Sequence, residues 1–545
     1  MMGFGNPSMR LGGTAKSACA DCVADTKRAP KRAMANDMFT NRINMPENSC
    51  VCVAELTKNQ YDGFSPSRWF YLFGKEPYMI DILIQDATIV TVNPRREILY
   101  HASLAIDNGR IVELGDSAAL LGKYPDAKRI IDGTGKAVFP GMINTHNHLF
   151  QTNLKGMGDD KVLKDWLTDM TFPSGGHLIP EDCYCGAMIG CLEGIRSGVT
   201  TQLDYMYPHP REGLDDAVVQ VFRELGIRGI YGRGYMDCGE EFGVWPEIMQ
   251  DAATIEADVR RLYASYHNAC NGRIQVWLAP AITWGASEAC MRMTKRLYDE
   301  LDLHMAIHTA ETMFDRESTF ALHGMDDMEI LVKYGLLGPK TLLVHCVQVT
   351  DRDIRMMKYY GAKVSHNPLS NMYLSSGVAP IPKMNLADID VGLGTDGAAS
   401  NNSNDMLEVL KAAALLQKVT HRDPTILTAD KVLEMATIEG ARCVGLANEI
   451  GSLEPGKKAD LFVFNPERNI KAIPMHHPVS TLVYASTMEN VETVIVDGNI
   501  VMGDGVIPAI DEKAMIRRCR AQADDLSVRA GTTHLKTRPW RSLAY

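Results

Sequence analysis

His146 and His148 end the apolar run Pro140-Gly-Met-Ile-Asn-Thr-His146-Asn-His148, and their spacing suits them to metal binding. The run reads as a buried strand. Successive strand side chains point to opposite faces, so imidazoles at i and i+2 share one face and can grip a single ion. Three later segments repeat the pattern of an apolar run closing on a metal-competent or acid–base residue: His304-Met-Ala-Ile-His308-Thr-Ala-Glu311, Thr341-Leu-Leu-Val-His345 and Val391-Gly-Leu-Gly-Thr-Asp396. Any one of these could be a polar strand end that caps or lines a loop. Together they fit a barrel of parallel strands, where the C-terminal ends of different strands converge on one site. Histidines and an aspartate would there meet a divalent ion with a position left open for water.

The remainder of the chain is patterned to build such a barrel. Strand candidates lie at 137–146, 199–205, 227–235, 274–281, 303–308, 341–346, 362–367 and 390–396, with helical patterns such as Pro180–Arg196 and 426–444 between or after them. That alternation predicts an α/β fold, a (β/α)8 TIM barrel. From 80 to 136 short alternating runs are broken by Asn-Pro, Asp-Asn-Gly and Asp-Gly-Thr-Gly turns, and similar runs return at 459–464 and 491–501. These two stretches are expected to pair into a small composite β-sandwich built from both ends of the chain. The expected organisation is a disordered leader over 1–78, β-sandwich over 79–136, barrel over 137–450, β-sandwich again over 451–510, and a C-terminal helix and tail over 511–545.

Several motifs resemble the amidohydrolase superfamily, within it the branch of heterocycle deaminases and triazine hydrolases. They are Pro-Gly-Met-Ile-Asn-Thr-His146-Asn-His148, His308-Thr-Ala-Glu311, His345-Cys346, Ser365-His366-Asn-Pro-Leu-Ser-Asn371 and Gly394-Thr-Asp396-Gly-Ala-Ala-Ser-Asn-Asn402. The similarity runs roughly from Met79 to the C terminus. It looks nearest to the atrazine chlorohydrolase and melamine deaminase group, through Tyr373-Leu, Ser376-Gly-Val-Ala-Pro-Ile-Pro and Pro539-Trp-Arg-Ser-Leu543 among others, and next to S-adenosylhomocysteine and methylthioadenosine deaminases. The resemblance implies His146, His148, His308 and Asp396 as metal ligands, with Asp396 also taking a proton from water. It implies Glu311 as the acid that protonates a ring nitrogen, and His345 as the group that polarises the attacked centre or holds the water. Binuclear relatives carry a carboxylated lysine at the end of the fourth strand. Here Gln275-Val-Trp-Leu-Ala-Pro280 has none, so one ion per chain is expected, zinc or ferrous iron.

Nucleoside deaminases of this branch have a ribose-holding glutamate where this chain has Gly175, and a histidine where it has Ala281. Both departures favour a compact ring without a sugar: a triazine, pyrimidine or purine base. The chlorohydrolase has asparagine where this chain has Gly397. Deamination is therefore expected ahead of dechlorination, with the nucleoside deaminases as the alternative. Trp166, Phe172 and Trp284 are candidate ring-stacking residues, and His366 a candidate substrate contact.

Composition narrows the rest. At 545 residues with a net charge of −11, 46% hydrophobic and 23% charged residues, the chain reads as a globular enzyme and not as a nucleic-acid or acidic-membrane binder. No run is long and apolar enough to span a bilayer, so a cytoplasmic location is expected, with a small heterocycle and water as partners in a homo-oligomer. Many of the 13 cysteines, Cys191, Cys270, Cys346 and Cys443 among them, sit in apolar patterns, which argues against a disulfide framework. Cys19, Cys22, Cys50 and Cys52 could form a small zinc site, but their spacing fits no common pattern and the surrounding leader lacks periodicity. Gly392-Leu-Gly394-Thr-Asp-Gly397 matches a dinucleotide-binding G-x-G-x-x-G. It falls after seven candidate strands and contains the aspartate that the metal site needs, so that reading is set aside.

Overall fold

The computed structural model describes residues 79–540 and 542, and the readings for 1–78, including the four leader cysteines, lie outside the described residues. Eight parallel strands run in sequence order around a barrel: β1 (Met142–Asn144), β2 (Val199–Met206), β3 (Arg228–Tyr235), β4 (Ile274–Pro280), β5 (Met305–Thr309), β6 (Thr341–His345), β7 (Lys363–His366) and β8 (Val391–Leu393). The ring closes just past the ends of β1 and β8. There the Thr145 amide donates to the Leu393 carbonyl at 3.0 Å and the Asp396 amide to that of His146 at 3.0 Å. β2, β3 and β6 are buried at every position, as strands covered on both faces must be. Helices return the chain outside the barrel, among them Pro180–Arg196, Leu214–Leu225, Ala252–Tyr266, Glu288–Glu300 and Asp351–Tyr360.

Both ends of the described chain build a second, mixed sheet of eight strands. Ile82–Val90, Ile98–Asp107, Arg110–Asp116, Arg129–Asp132 and Ala137–Pro140 come from the N-terminal side, and Leu461–Phe464, Val491–Val496 and Asn499–Met502 from the C-terminal side. The seam is the antiparallel pair in which Leu461 faces Pro140 and Phe464 faces Ala137. The expected single strand over 137–146 is therefore two strands in two sheets. Gly141 sits at the crossing, where any Cβ would overlap the Thr200 side chain and lie 2.7 Å from its Cβ. The helical pattern over 426–444 is likewise divided, into Ala429–Ala436 and Ile438–Cys443, because Thr437 leaves helical geometry at φ −124°, ψ −93°. Its hydroxyl donates to the Leu433 carbonyl at 2.6 Å.

The C-terminal helix Glu512–Arg529 packs on Pro180–Arg196 through Arg518 to Glu181 at 2.6 Å and Arg529 to Asp182 at 2.7 Å. No helix among the described residues is long and apolar enough to cross a membrane.

Candidate metal centre and active-site pocket

The strand ends bring the chemistry to one point. His146 and His148 lie in extended chain just past β1, where the barrel's closing hydrogen bonds fix their backbone. His308 is in β5, His345 ends β6, and Asp396 follows β8 by three residues. The ligand atoms of His146, His148 and Asp396 all lie within 4.8 Å of one another, as do those of His146, His308 and His345. His345 and Asp396 hold φ angles of 70° and 61°, and Ala310 and Cys346 beside them are also left-handed. Such conformations cost non-glycine residues energy and concentrate where function requires an exact side-chain direction.

The imidazole tautomers follow from the hydrogen bonds. His148 Nδ1 lies 2.6 Å from the Tyr205 carbonyl and His308 Nδ1 2.6 Å from that of Ala281. A carbonyl only accepts, so each Nδ1 carries the hydrogen and each Nε2 presents a lone pair. Those two Nε2 atoms are 3.2 Å apart, and Asp396 Oδ1 is 3.3 Å from both His148 Nε2 and His146 Nε2. Lone pairs and a carboxylate oxygen facing one another in a buried nest repel unless a cation sits among them. His146 is fully buried, and among the described residues neither of its ring nitrogens makes a hydrogen bond; with Nε2 beside Asp396, that orphaned ring suits a metal ligand. Burial, reinforced by the charge of His146, pushes His148 down to about 3, so the imidazole is neutral and able to ligate at ordinary pH. The donor set fits a divalent metal.

Glu311 and His345 face this nest from the side. Glu311 is 4% exposed, and burial pushes its carboxyl up to about 7 against the opposing pull of His345. Its Oε2 is 3.5 Å from His345 Nε2, whose ring lies 3.9 Å from Asp396 Oδ2. His345 Nδ1 donates to Asn371 Oδ1 at 2.9 Å, turning Nε2 toward the carboxylates. Burial alone would lower His345, but the charges of Glu311 and Asp396 outweigh it and favour the protonated ring.

Above lies a pocket of ≈ 570 Å³ including its open mouth. Trp166, Phe172 and Trp284 all line it, as the sequence reading expects, together with Tyr207, Met236 and Gln151. Trp166 is fixed by its indole N–H to the Ala399 carbonyl at 3.0 Å, and Trp284 by its own to Asp315 at 3.1 Å. His366 is placed elsewhere: it is fully buried at the end of β7 and is not among the pocket-lining residues. The first histidine of the fifth-strand motif, His304, is also remote. It precedes β5 and stacks on Trp277 at 4.7 Å.

Sequence reasoning passed over Gln151, Ser376 and Asn371 as site residues. Gln151 had a usable signal, since it follows His148 by three residues in the one-turn spacing of the helix Leu149–Leu154. Asn371 reaches the site from the short helix Pro368–Tyr373 after β7 and Ser376 from the turn that follows it, a path too short to carry a periodicity.

A barrel with a histidine–aspartate nest at the C-terminal strand ends and a buried acid beside it defines the class of metal-dependent hydrolases. Residues 137–501 match the model of the Amidohydrolase family, and the chain belongs to that family. A 5'-deoxyadenosine deaminase of Methanothermobacter thermautotrophicus is 38% identical over 78% of this chain and 95% of its own length. A 5-methylthioadenosine/S-adenosylhomocysteine deaminase of Desulforudis audaxviator is 35% identical over 81% of this chain and 98% of its own. Among solved structures, an adenosine deaminase from Xanthomonas campestris with bound zinc superposes with a TM-score of 0.77 at 28% identity, covering 83% of this chain and 100% of that one.

Proposed function

We propose that this chain is an aminohydrolase that removes the exocyclic amine of an uncharged, purine-like nitrogen heterocycle, using one divalent ion, zinc or ferrous iron, held by His146, His148, His308 and Asp396. The observation that carries this is the placement of Glu311, a buried carboxyl held near neutrality, beside the nitrogen-rich nest on the floor of an aromatic pocket. A bound divalent ion makes water a nucleophile near neutral pH and polarises the attacked carbon. Asp396 accepts the proton that water gives up. Glu311, protonated, donates to the ring nitrogen next to the carbon under attack; the proton held by Asp396 goes to the amine as ammonia leaves, and the hydroxyl proton of the attacked carbon restores Glu311 as the carbonyl forms. His345, oriented by Asn371, holds the attacking oxygen in place between the two carboxylates.

Trp166, Phe172 and Trp284 line a largely apolar slot above the nest, and among the described residues no lysine or arginine lines it. This supports a neutral ring and counts against a carboxylate-bearing substituent. Gly175, buried against Pro208, offers no carboxylate to hold ribose hydroxyls, which favours a substrate without ribose. A second reading, a 5'-modified adenosine, is favoured by the names of the curated relatives, and a pocket lined by carboxyls without a lysine or arginine then suits 5'-deoxyadenosine or methylthioadenosine better than S-adenosylhomocysteine. Ammonia release should be followed over adenine, guanine, aminopyrimidines, melamine and these three nucleosides, with chloride release from a chlorotriazine measured in parallel. Higher kcat/KM for a free base supports the first reading. Efficient turnover of nucleosides alone would replace it with the second, and chloride without ammonia would overturn both.

A further inference from the structure

We infer that Ser376 is a positioning residue for proton transfer: its hydroxyl fixes Glu311 so that the proton is carried on Oε2, the oxygen facing the reaction. The Ser376 hydroxyl donates to Glu311 Oε1 at 2.9 Å, while Oε2 is the oxygen 3.5 Å from His345 Nε2. A carboxyl whose Oε1 is engaged by a donor holds its own proton on the other oxygen, because a proton on Oε1 would face the serine hydrogen. Glu311 is therefore directional, accepting on one side and donating on the other.

The serine is itself held in place. Its amide donates to the Asn371 carbonyl at 2.9 Å, and its carbonyl accepts from Gln348 Nε2 at 2.7 Å. Gly377 follows at φ 122°, where a Cβ would lie 3.0 Å from Val347 and 3.2 Å from Gln348 Nε2, so the turn that presents the hydroxyl suits glycine. The Gln348 amide donates to the Ala310 carbonyl at 2.8 Å, tying this bracket to the residue before Glu311. Asn371, which anchors the serine backbone, also orients His345 through its side chain. The loops after β5, β6 and β7 thus set both proton-handling groups through one connected frame. Ser376 is 6% exposed, and among the described residues its hydroxyl bonds to Glu311 alone, which leaves Glu311 as its evident purpose.

This inference rests on Glu311 being the proton carrier, and a double-mutant cycle on the metal-loaded enzyme keeps the two claims apart. Ser376→Ala should lower kcat for ammonia release about 10-fold, near the upper effect of one hydrogen bond between neutral groups, with KM within about two-fold of the parent. Ser376→Thr, which keeps the hydroxyl, should recover most of the rate. In a Glu311→Gln background Ser376→Ala should change kcat by less than about two-fold, because a residue acting through Glu311 has nothing left to position. An equal loss in both backgrounds would show a structural role, and an unchanged kcat in Ser376→Ala would show none; either overturns the inference. If Glu311→Gln itself turned over normally, the proton-carrier reading would fail first.

Discussion

Gly397, immediately after the candidate ligand Asp396, is a position where one methyl group should be felt throughout the site. A Cβ built there would overlap the Gln151 carboxamide, 2.5 Å from its Cδ, and would lie 3.1 Å from the Cβ of His148. Gly397 does not have the left-handed φ that only glycine tolerates, so the obstacle in Gly397→Ala is steric alone. Gln151 is fully buried and donates to the Tyr207 hydroxyl at 3.2 Å. Turning it aside breaks that bond and strands a buried amide, costing about 1–3 kcal/mol of stability. Residual pressure on His148 displaces a ligand by tenths of an ångström, and misplacement on that scale lowers kcat/KM by about 10-fold or more. The paired variant Gly397→Ala with Gln151→Ala removes the obstructing atoms, so it should recover much of the stability lost by Gly397→Ala and restore metal retention. Urea denaturation, metal content and ammonia release on the single and paired variants test this. A single variant as stable and active as the parent, or a pair worse than the sum of its parts, would refute the steric account.

Glu311→Gln should keep its metal while kcat falls about 10²-fold or more, because the amide holds the position and cannot give up a proton; metal analysis beside steady-state kinetics checks this. Trp166→Ala should raise KM more than it lowers kcat, since the ring lines the slot and does not touch the nest; a pure kcat effect would remove it from substrate binding. Asp204, one residue from the Tyr205 carbonyl that holds His148, gives a stability test. It is fully buried on β2 with Oδ2 unpartnered, and burial, aided by the charge of Asp215, pushes it up to about 7 from an unfolded value near 3.8. A carboxyl raised on folding stabilises the native state fully below the unfolded value and loses that contribution as pH rises through the folded one. Asp204→Asn keeps an acceptor for the Leu149 amide, which donates to Oδ1 at 2.8 Å, and so should gain in Tm relative to the parent between pH 5 and pH 8. A flat difference across that range would contradict the assignment.

The barrel and the nest were legible because both rest on local pattern. Apolar runs of strand length ending in His148, His308, His345 and Asp396 state where strands end, and a parallel barrel turns strand ends into neighbours. What could not be read was set by tertiary packing. The division at Gly141 depends on Thr200, 59 residues away in sequence and opposite only once β2 is in place. The break at Thr437 comes from one hydroxyl bonding back to Leu433, a choice that helical periodicity does not record. His366 occupies a strand end like the others, yet the fold encloses it, because a motif names residue types and not the direction in which a side chain leaves the strand. Ser376 completes the site through a hydrogen bond to Glu311, 65 residues away in sequence, which no fixed spacing announces.

The central claim is that His146, His148, His308 and Asp396 hold one ion on which the hydrolysis depends. Metal content per chain, measured by elemental analysis on the purified protein and on His146→Ala, His308→Ala and Asp396→Ala, with ammonia release from the best substrate of the panel assayed on the same samples, tests it most directly. The parent should hold about one equivalent of zinc or iron, and each variant should lose the metal or nearly all activity. Two equivalents per chain, or turnover that survives both chelation and loss of Asp396, would contradict it.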